Sequence, residues 1–375
     1  MEVLRLKTHS QVKTRLGVLV TKKAIQKIRK QKPPERIEML RKANEIAELT
    51  LYFFSIKDIS TNNKCIVGFY YDEKKRLWQR AQFPYPDVIY RRGSGDIKQK
   101  KEKRKLQLFL NQLHDQHTKF LNHPSGFNKW EVYQKLKNDP VIAPHLPETK
   151  KLETVKDIEK MLNKYTTIYI KASKGRRGKQ VMKVTIRSKN EFQFRYFSTR
   201  VRSETVSDLY RLKQHLDSIF KREDLIVQEA ISLIGKSDKI IDFRGEVQRN
   251  GNGELEVVAV PVRISQKNSP ITTHAESCTL EKFLNENFAE TKKELQQQIE
   301  KLLLKVYQAI EKDHQLLGEL GIDVGLDKYG KLWLIECNAQ SAKVSLMKAY
   351  DQKTIEKVFL NPLQYAKFLH RLSLE

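Results

Sequence analysis

The residues best able to do chemistry lie in one stretch, GIDVGLDKYGKLWLIECN, residues 321–338. Its two apolar halves flank Asp327-Lys328-Tyr329-Gly330, where Asp and Gly supply the turn chemistry that folds such a pair into a hairpin. Side chains along a strand alternate faces with period two. With an even-numbered loop, Asp323 falls opposite Leu334, and Glu336 and Asn338 project from the same face as Leu334. Three oxygen donors then share one face. Diagonal neighbours across such a pair lie roughly 7–8 Å apart, room for one or two divalent cations held between carboxylates and phosphate oxygens. Glu336 follows the apolar run Leu332–Ile335. An unpaired carboxylate there is costly, so a metal or a cationic partner is expected. Asp323 or Asp327 taken alone reads as an ordinary solvated acid near a strand end.

Periodicity and punctuation give the elements that position this hairpin. Strands at Thr167–Lys171 and Val181–Ile186 should pair across a loop rich in glycine and basic residues, Ala172–Lys179, leaving Lys171 at the end of an apolar strand. Thr154 and Asp157 form a capping box for a helix with Ile158, Met161 and Leu162 on one side. Ser207 caps a second helix bearing Leu209, Leu212, Leu216 and Ile219, and the apolar run Leu225–Val227 after it ends in Gln228 and Glu229. Strands at Asp242–Val247 and Glu254–Ile264 precede a long helix marked by Leu295, Ile299, Leu302, Leu303, Val306 and Ile310. Upstream, residues 1 to about 122 read as a basic α/β lobe. It has strands at Gly17–Val20, Leu49–Ile56, Cys65–Tyr71 and Asp87–Tyr90, and a helix carrying Ile37, Leu40, Ala43 and Ala47. A short helix at Phe127–Leu136 and an extended connection through Pro140, Pro144 and Pro147 open the next lobe.

At 375 residues the chain exceeds one hydrophobic core, so two or three lobes with a cleft between them are expected. A 39% hydrophobic and 31% charged composition suits a soluble globular protein and excludes a disordered one. No apolar run is long enough to cross a bilayer, and the start of the chain does not read as a signal peptide. Three scattered cysteines, without metal-type spacing, fit a reducing, cytoplasmic compartment. No Ser/His or Cys/His arrangement suggests a nucleophile. The net charge of +26 draws polyanions and acidic substrates. The run Lys98, Lys100, Lys101, Lys103, Arg104, Lys105 is a solvated face or helix start, or a contact for an anionic partner. Aromatic residues do not interleave with the basic ones, which argues against a nucleic-acid stacking surface.

The spacing from Asp323 to Glu336-x-Asn338 resembles the metal-binding hairpin of ATP-grasp enzymes. Phe127-Asn128-Lys129-Trp130, Gln228 with Ile231, Asp242-Phe243-Arg244 and the Gly-Ile-Asp hairpin, in that order, resemble the YheC/YheD family, endospore coat-associated proteins of Bacillus-type bacteria. The resemblance covers about residues 85–370. It implies an α/β (α+β) chain with an ATP-grasp fold, two lobes clasping nucleotide, preceded by the basic N-terminal α/β lobe. The divisions would be residues 1–122, a small lobe at 123–228 and a metal-binding lobe at 229–375. It further implies ATP with Mg2+, or Mn2+ in its place, held at Asp323, Glu336 and Asn338. Lys129 and Lys171 would reach the phosphates, Gly175 and Gly178 would belong to a mobile phosphate cover, and Gln228, Glu229 and Ile231 would meet the nucleoside. Arg244 and Arg263 would steady the transferring phosphate. The implied activity joins a carboxylate to an amine through an acyl phosphate. With the +26 charge, the carboxylate substrate is expected to be acidic, as a peptide or polymer. Spore-coat proteins would be its partners, and the mother-cell cytoplasm or the coat its location.

Two departures stand out. Ala339-Gln340-Ser341-Ala342 follows Asn338 where most ATP-grasp ligases have Pro-Gly, and Ala172 follows Lys171 where proline is common. They bear on the acceptor site and leave open a coat protein that binds nucleotide or a polyanion without catalysis.

Overall fold

A computed structural model of the chain describes residues 13–93, 97, 99–123, 126–174, 180–221, 223–236, 238–272, 276–312 and 316–374. Lys98 of the basic run and residues 175–179 of the expected phosphate cover lie outside these. The chain divides into two compact units. One comprises residues 1–124, 249–254 and 356–375, the other residues 125–248 and 255–355. The segments 249–254 and 356–375 therefore group with the N-terminal region, whereas the sequence reading has them in the lobe 229–375.

In the first unit the strands Arg15–Leu19, Thr50–Phe54, Val88–Arg91 and Lys119–Phe120 run parallel, and Cys65–Asp72 and Leu77–Pro84 extend the sheet antiparallel. The helix Glu35–Ala47 buries Ile37, Met39, Leu40, Ala43 and Ala47, the stripe that periodicity requires. The basic run opens the helix Lys100–Asp115. Its Leu106, Phe109 and Leu113 are buried, while Lys100, Lys101, Lys103 and Arg104 are exposed.

The second unit is built on two antiparallel sheets. In the first, the order is Val201–Val206, Glu191–Phe197, Val181–Ser188, Thr167–Ala172, Leu225–Glu229, Thr149–Leu152. Helices Val155–Tyr165 and Leu209–Phe220 cover one face through Ile158, Met161, Leu162, Leu212, Leu216 and Phe220. The Thr154–Asp157 capping box forms as expected. The second helix is capped one residue later than expected, by Asp208 rather than Ser207, because the Asp208 carboxylate accepts the Arg211 N–H at 2.8 Å. A carboxylate there also complements the helix dipole.

In the other sheet the order is Glu276–Cys278, Val262–Ile264, Lys239–Arg249, Glu319–Leu326, Leu332–Asn338. Helices Leu280–Asn287 and Lys292–Glu311 bury Phe283, Leu284, Ile299, Leu303 and Val306 against its back face. The single strand expected at Glu254–Ile264 is interrupted at Val260-Pro261, giving Leu255–Ala259 and Val262–Ile264. Proline has no N–H for the ladder, and its carbonyl instead accepts the Arg244 N–H at 2.9 Å.

Candidate active site

The hairpin turn is organised by Asp327. Its Oδ1 accepts the N–H groups of Tyr329 and Lys331 at 2.9 and 3.0 Å, and its Oδ2 accepts the Trp333 indole N–H at 2.8 Å. Gly330 supplies the positive φ of 83°. Asp327 is thus a turn former and not a ligand. The connecting loop, residues 327–331, has an odd number of residues, and register near it pairs Leu326 with Leu332, Gly325 with Trp333 and Val324 with Leu334. Continued unbroken, that ladder would set Asp323 opposite Ile335 and turn Glu336 into the core. A bulge intervenes instead. Ile335 is left unpaired, and beyond it Asp323 pairs with Glu336, Ile322 with Cys337 and Gly321 with Asn338.

The expectation that Asp323 opposes Leu334 is therefore corrected to Glu336. Asp323, Glu336 and Asn338 do share a face, through a bulge and not through an even loop. The physical reason lies on the other face, where Ile322, Val324, Leu326, Leu332, Leu334 and Cys337 all join the core. Strict alternation would expose Cys337 and bury Glu336 unpaired, and one extra residue avoids both.

A row of charge crosses the same face. Arg244 is the register partner of Asp323, and Arg263 that of Asp242. Both the Nε and Nη2 of Arg244 donate to the Asp323 carboxylate, the latter at 2.9 Å. Arg263 grips Asp242 through two bonds of 2.6 Å and lies 3.0 Å from Asp323 Oδ1. The Thr272 hydroxyl donates to Asp242 at 2.7 Å. Burial works against the Arg263 cation, but Asp242 and Asp323 outweigh it and hold its pKa above the ordinary value. Glu336 Oε1 is 3.3 Å from Lys129 Nζ. Lys129 opens the helix Lys129–Leu136, capped by Asn128, whose side chain accepts the Trp130 N–H at 3.0 Å. The Asn338 amide nitrogen lies 3.5 Å from Asp323 Oδ2, and rotation of that amide presents its oxygen instead.

Lys171 faces this row from the six-stranded sheet. It is only 7% exposed. Its ammonium donates to Gln228 Oε1 at 2.6 Å, and the Gln228 amide donates in turn to Thr149 at 2.8 Å. Burial pulls the Lys171 pKa down to about 8, Lys129 pushes the same way, and Glu336 and Asp323 oppose them. One cavity is lined by Lys129, Lys171, Thr149, Gln228 and Glu336 together with Tyr133, Leu146 and Ile335. Gln228 thus orients a lysine, with its amide committed at both ends. Glu229 and Ile231 are not among the cavity residues. Glu229 lies at the strand end, where Oε2 accepts the Glu148 N–H at 3.1 Å, and Ile231 is half-buried. Gly175 and Gly178 fall outside the described residues.

Sequence reading missed the pairing of Asp242 with Arg263, Thr149 and the anchoring of the run after Asn338. Ser341 donates to Glu246 at 2.5 Å, and the buried Lys343 ammonium lies 2.5 Å from Glu319 and 3.8 Å from Glu246. In the run that replaces the Pro-Gly of most ATP-grasp ligases, a polar plug ties the chain to the sheet. Period two carried the signal, since Glu246 shares a face with Asp242 and Arg244, and Glu319 with Asp323.

Among the described residues no group of three or more His, Cys, Asp or Glu could hold a metal ion. Two opposed carboxylates and an amide oxygen form an incomplete shell of hard donors. That set fits a cation such as Mg2+, which completes its octahedron with phosphate oxygens and water.

Two antiparallel sheets, one with a bulged acidic hairpin and the other with a buried lysine on a shared cavity, define an ATP-grasp fold. The chain belongs to the YheC/D-like ATP-grasp family, whose model matches residues 117–369. It is 28% identical to the endospore coat-associated protein YheD of Bacillus subtilis over 301 residues, 78% of this chain and 64% of that protein. The chain therefore spans less than two-thirds of YheD. It is 21% identical to the endospore coat-associated protein YheC of the same organism over 320 residues, covering 84% of this chain and 87% of YheC. D-alanyl-alanine synthetase A from Vibrio cholerae shares the fold, with a TM-score of 0.52 at 16% identity over 94% of this chain and 99% of that one. No helix among the described residues is long and apolar enough to cross a membrane.

Proposed function

We propose that the chain is an ATP- and Mg2+-dependent ligase that joins a carboxylate to an amine through an acyl phosphate. The observation that carries this reading is the bulged hairpin. It turns Asp323, Glu336 and Asn338 to one face, while Lys129, Lys171 and Glu336 meet at one cavity. Asp323, Glu336 and Asn338 would hold the metal, which when bound neutralises charge on the β and γ phosphates.

The chain's own residues do the rest. Lys129 and Lys171 bring ammonium groups to the polyphosphate, with Lys171 aimed by Gln228. Arg244 and Arg263, held in place by Asp323 and Asp242, would lend their positive charge to a phosphoryl group gaining charge in transfer. Glu229 and Ile231, at the end of the strand Leu225–Glu229, would meet ribose and purine, and Gly175 and Gly178 would close over the phosphates. A substrate carboxylate oxygen bonds to the γ phosphorus as its bond to the ADP oxygen breaks. The amine nitrogen then attacks the acyl carbon, phosphate departs, and the amine's proton is lost to solvent.

The +26 charge favours an acidic, carboxylate-rich substrate. The names of YheD and YheC support a role at the endospore coat, with the protein acting in the mother-cell cytoplasm or on the coat itself. The test is calorimetric titration of a non-hydrolysable ATP analogue, with and without Mg2+, into the protein and its Glu336→Ala variant. Binding that needs Mg2+ and is lost in the variant is expected. Metal-independent binding that ignores the substitution would remove the site.

A further inference from the structure

The six-stranded sheet carries a second charged row that the active site does not use. Lys183 and Arg195 are direct register partners on adjacent strands, and Tyr169 is the other partner of Lys183. Arg187 lies four residues along from Lys183, at a bulge between Ile186 and Ser188, and reaches the Lys183 face through Gln193, the register partner of Thr185. This face is opposite the core residues Met182, Val184, Phe192 and Phe194, and Lys171 shares it. Lys183 is thus one strand across from Lys171 and two residues along from its register partner, Val181.

These three cations have no acid to answer them. Gln193 Oε1 accepts from Arg187 at 3.1 and 2.6 Å and from Arg195 at 3.2 Å, and Asn268 Oδ1 accepts from Arg195 at 3.1 Å. Among the described residues no carboxylate comes within ion-pair range of any of them. Like charges directly opposed on a sheet are destabilising. Burial lowers the pKa of Lys183, and Arg195 and Arg187 push it the same way. Lys183 and Arg195 are half-buried and Arg187 is exposed, and like charges so opposed are relieved when an anion binds between them.

We infer that Lys183, Arg187 and Arg195 bind the carboxylates of an acidic peptide laid along this sheet face towards Lys171. The arginine forks match carboxylate geometry. Gln193 Oε1 holds Arg187 and Arg195 side by side and Arg195 opposes Lys183, so the three cations form one group spread along two strands. Excess positive charge over the whole chain attracts such a ligand from a distance. The assignment of this peptide as the ligase's substrate rests on the proposed function, whereas its binding does not.

The test uses the full chain and a fluorescent ten-residue oligoglutamate, read by anisotropy across a salt series. The same proteins are titrated with a non-hydrolysable ATP analogue and Mg2+. In Lys183→Met/Arg195→Met, peptide affinity is expected to fall at least tenfold and its salt dependence to flatten, with nucleotide affinity unchanged. Lys183→Arg, which keeps the charge, should retain peptide binding. Unaltered peptide binding in the double variant would overturn the site. Loss of nucleotide binding there would overturn it too, by giving the cations to the triphosphate. A phosphorylated peptide or single-stranded oligonucleotide of equal charge that binds more tightly, and loses more on substitution, would reassign it to another ligand. Wild-type protein that binds oligoglutamate through these residues yet releases no ADP leaves the site standing and removes the ligase reading.

Discussion

Two rows of charge cross the sheets of the second unit, and they are built on opposite plans. Through Arg263, Asp242, Arg244, Asp323, Glu336 and Lys129 the signs alternate, except where Asp323 and Glu336 stand side by side. Through Lys183, Arg195 and Arg187 the sign is positive throughout. An alternating row fixes its own geometry before any ligand arrives, which is what electrostatic preorganisation requires. A row of one sign is finished only by something from outside. The paired carboxylates mark the place for a cation and the paired cations the place for an anion.

Removing a charge from the alternating row should do the most damage. Arg263→Leu leaves Asp242 without its bidentate partner and Asp323 with one arginine in place of two, both in buried positions. A loss of about 3–5 kcal/mol in urea unfolding is expected, as for breaking a buried pair from one side. A loss under about 1 kcal/mol would mean that the row does not fix the site. Next comes Glu336→Gln, which keeps shape and removes the charge shared by the metal position and Lys129. ADP release should fall by about a hundredfold or more with the fold retained, the scale of losing one preorganised electrostatic group. Turnover near wild type would dismiss Glu336 from the chemistry.

Much of this was legible in the sequence, and the failures have physical causes. Period two and the Asp-Gly turn give the hairpin, and the Thr154–Asp157 box gives a helix start, because these signals are local. Which residue of Leu334-Ile335-Glu336 leaves the ladder is not local. It depends on Cys337 and Leu334 both finding the core, and that decides the register of Asp323. Asp242 was read as part of the family pattern and not as the partner of Arg263, since cross-strand register between distant segments is invisible along the chain. Gln228 reads as a nucleoside contact by resemblance, yet its amide is held between Lys171 and Thr149. The plug of Ser341 and Lys343 was hidden for the same reason as Asp242.

Lys171 separates the two plans by pH. Its ammonium, held down to about 8 by burial, should lose its proton as pH rises from 8 towards 9 in the free protein. Affinity for the ATP analogue should then fall by up to about tenfold per pH unit, and Lys171→Arg, which stays charged, should show no such slope. The stability linkage has the opposite sign. The folded state binds fewer protons than the unfolded state between about pH 8 and the ordinary lysine value of 10.5, so this group's contribution to stability rises with pH across that window. Affinity flat to pH 10 in the wild type would place Lys171 away from the phosphates.

The smallest effect is also the most diagnostic. Lys183→Met keeps the length and apolar stem of the side chain while removing one member of an opposed cation pair. In the alternating row such a change orphans a carboxylate, whereas here it relieves repulsion and leaves no acid unpaired. The free protein should therefore be stabilised by about 0.2–1 kcal/mol, visible as a small rise in the urea midpoint at low salt that fades as salt is added. With oligoglutamate present, the ranking should reverse, because the wild type then gains more from the ligand than the variant does. A variant less stable than wild type under both conditions would show that Lys183 has an anionic partner within the fold, and the contrast between the two rows would be lost.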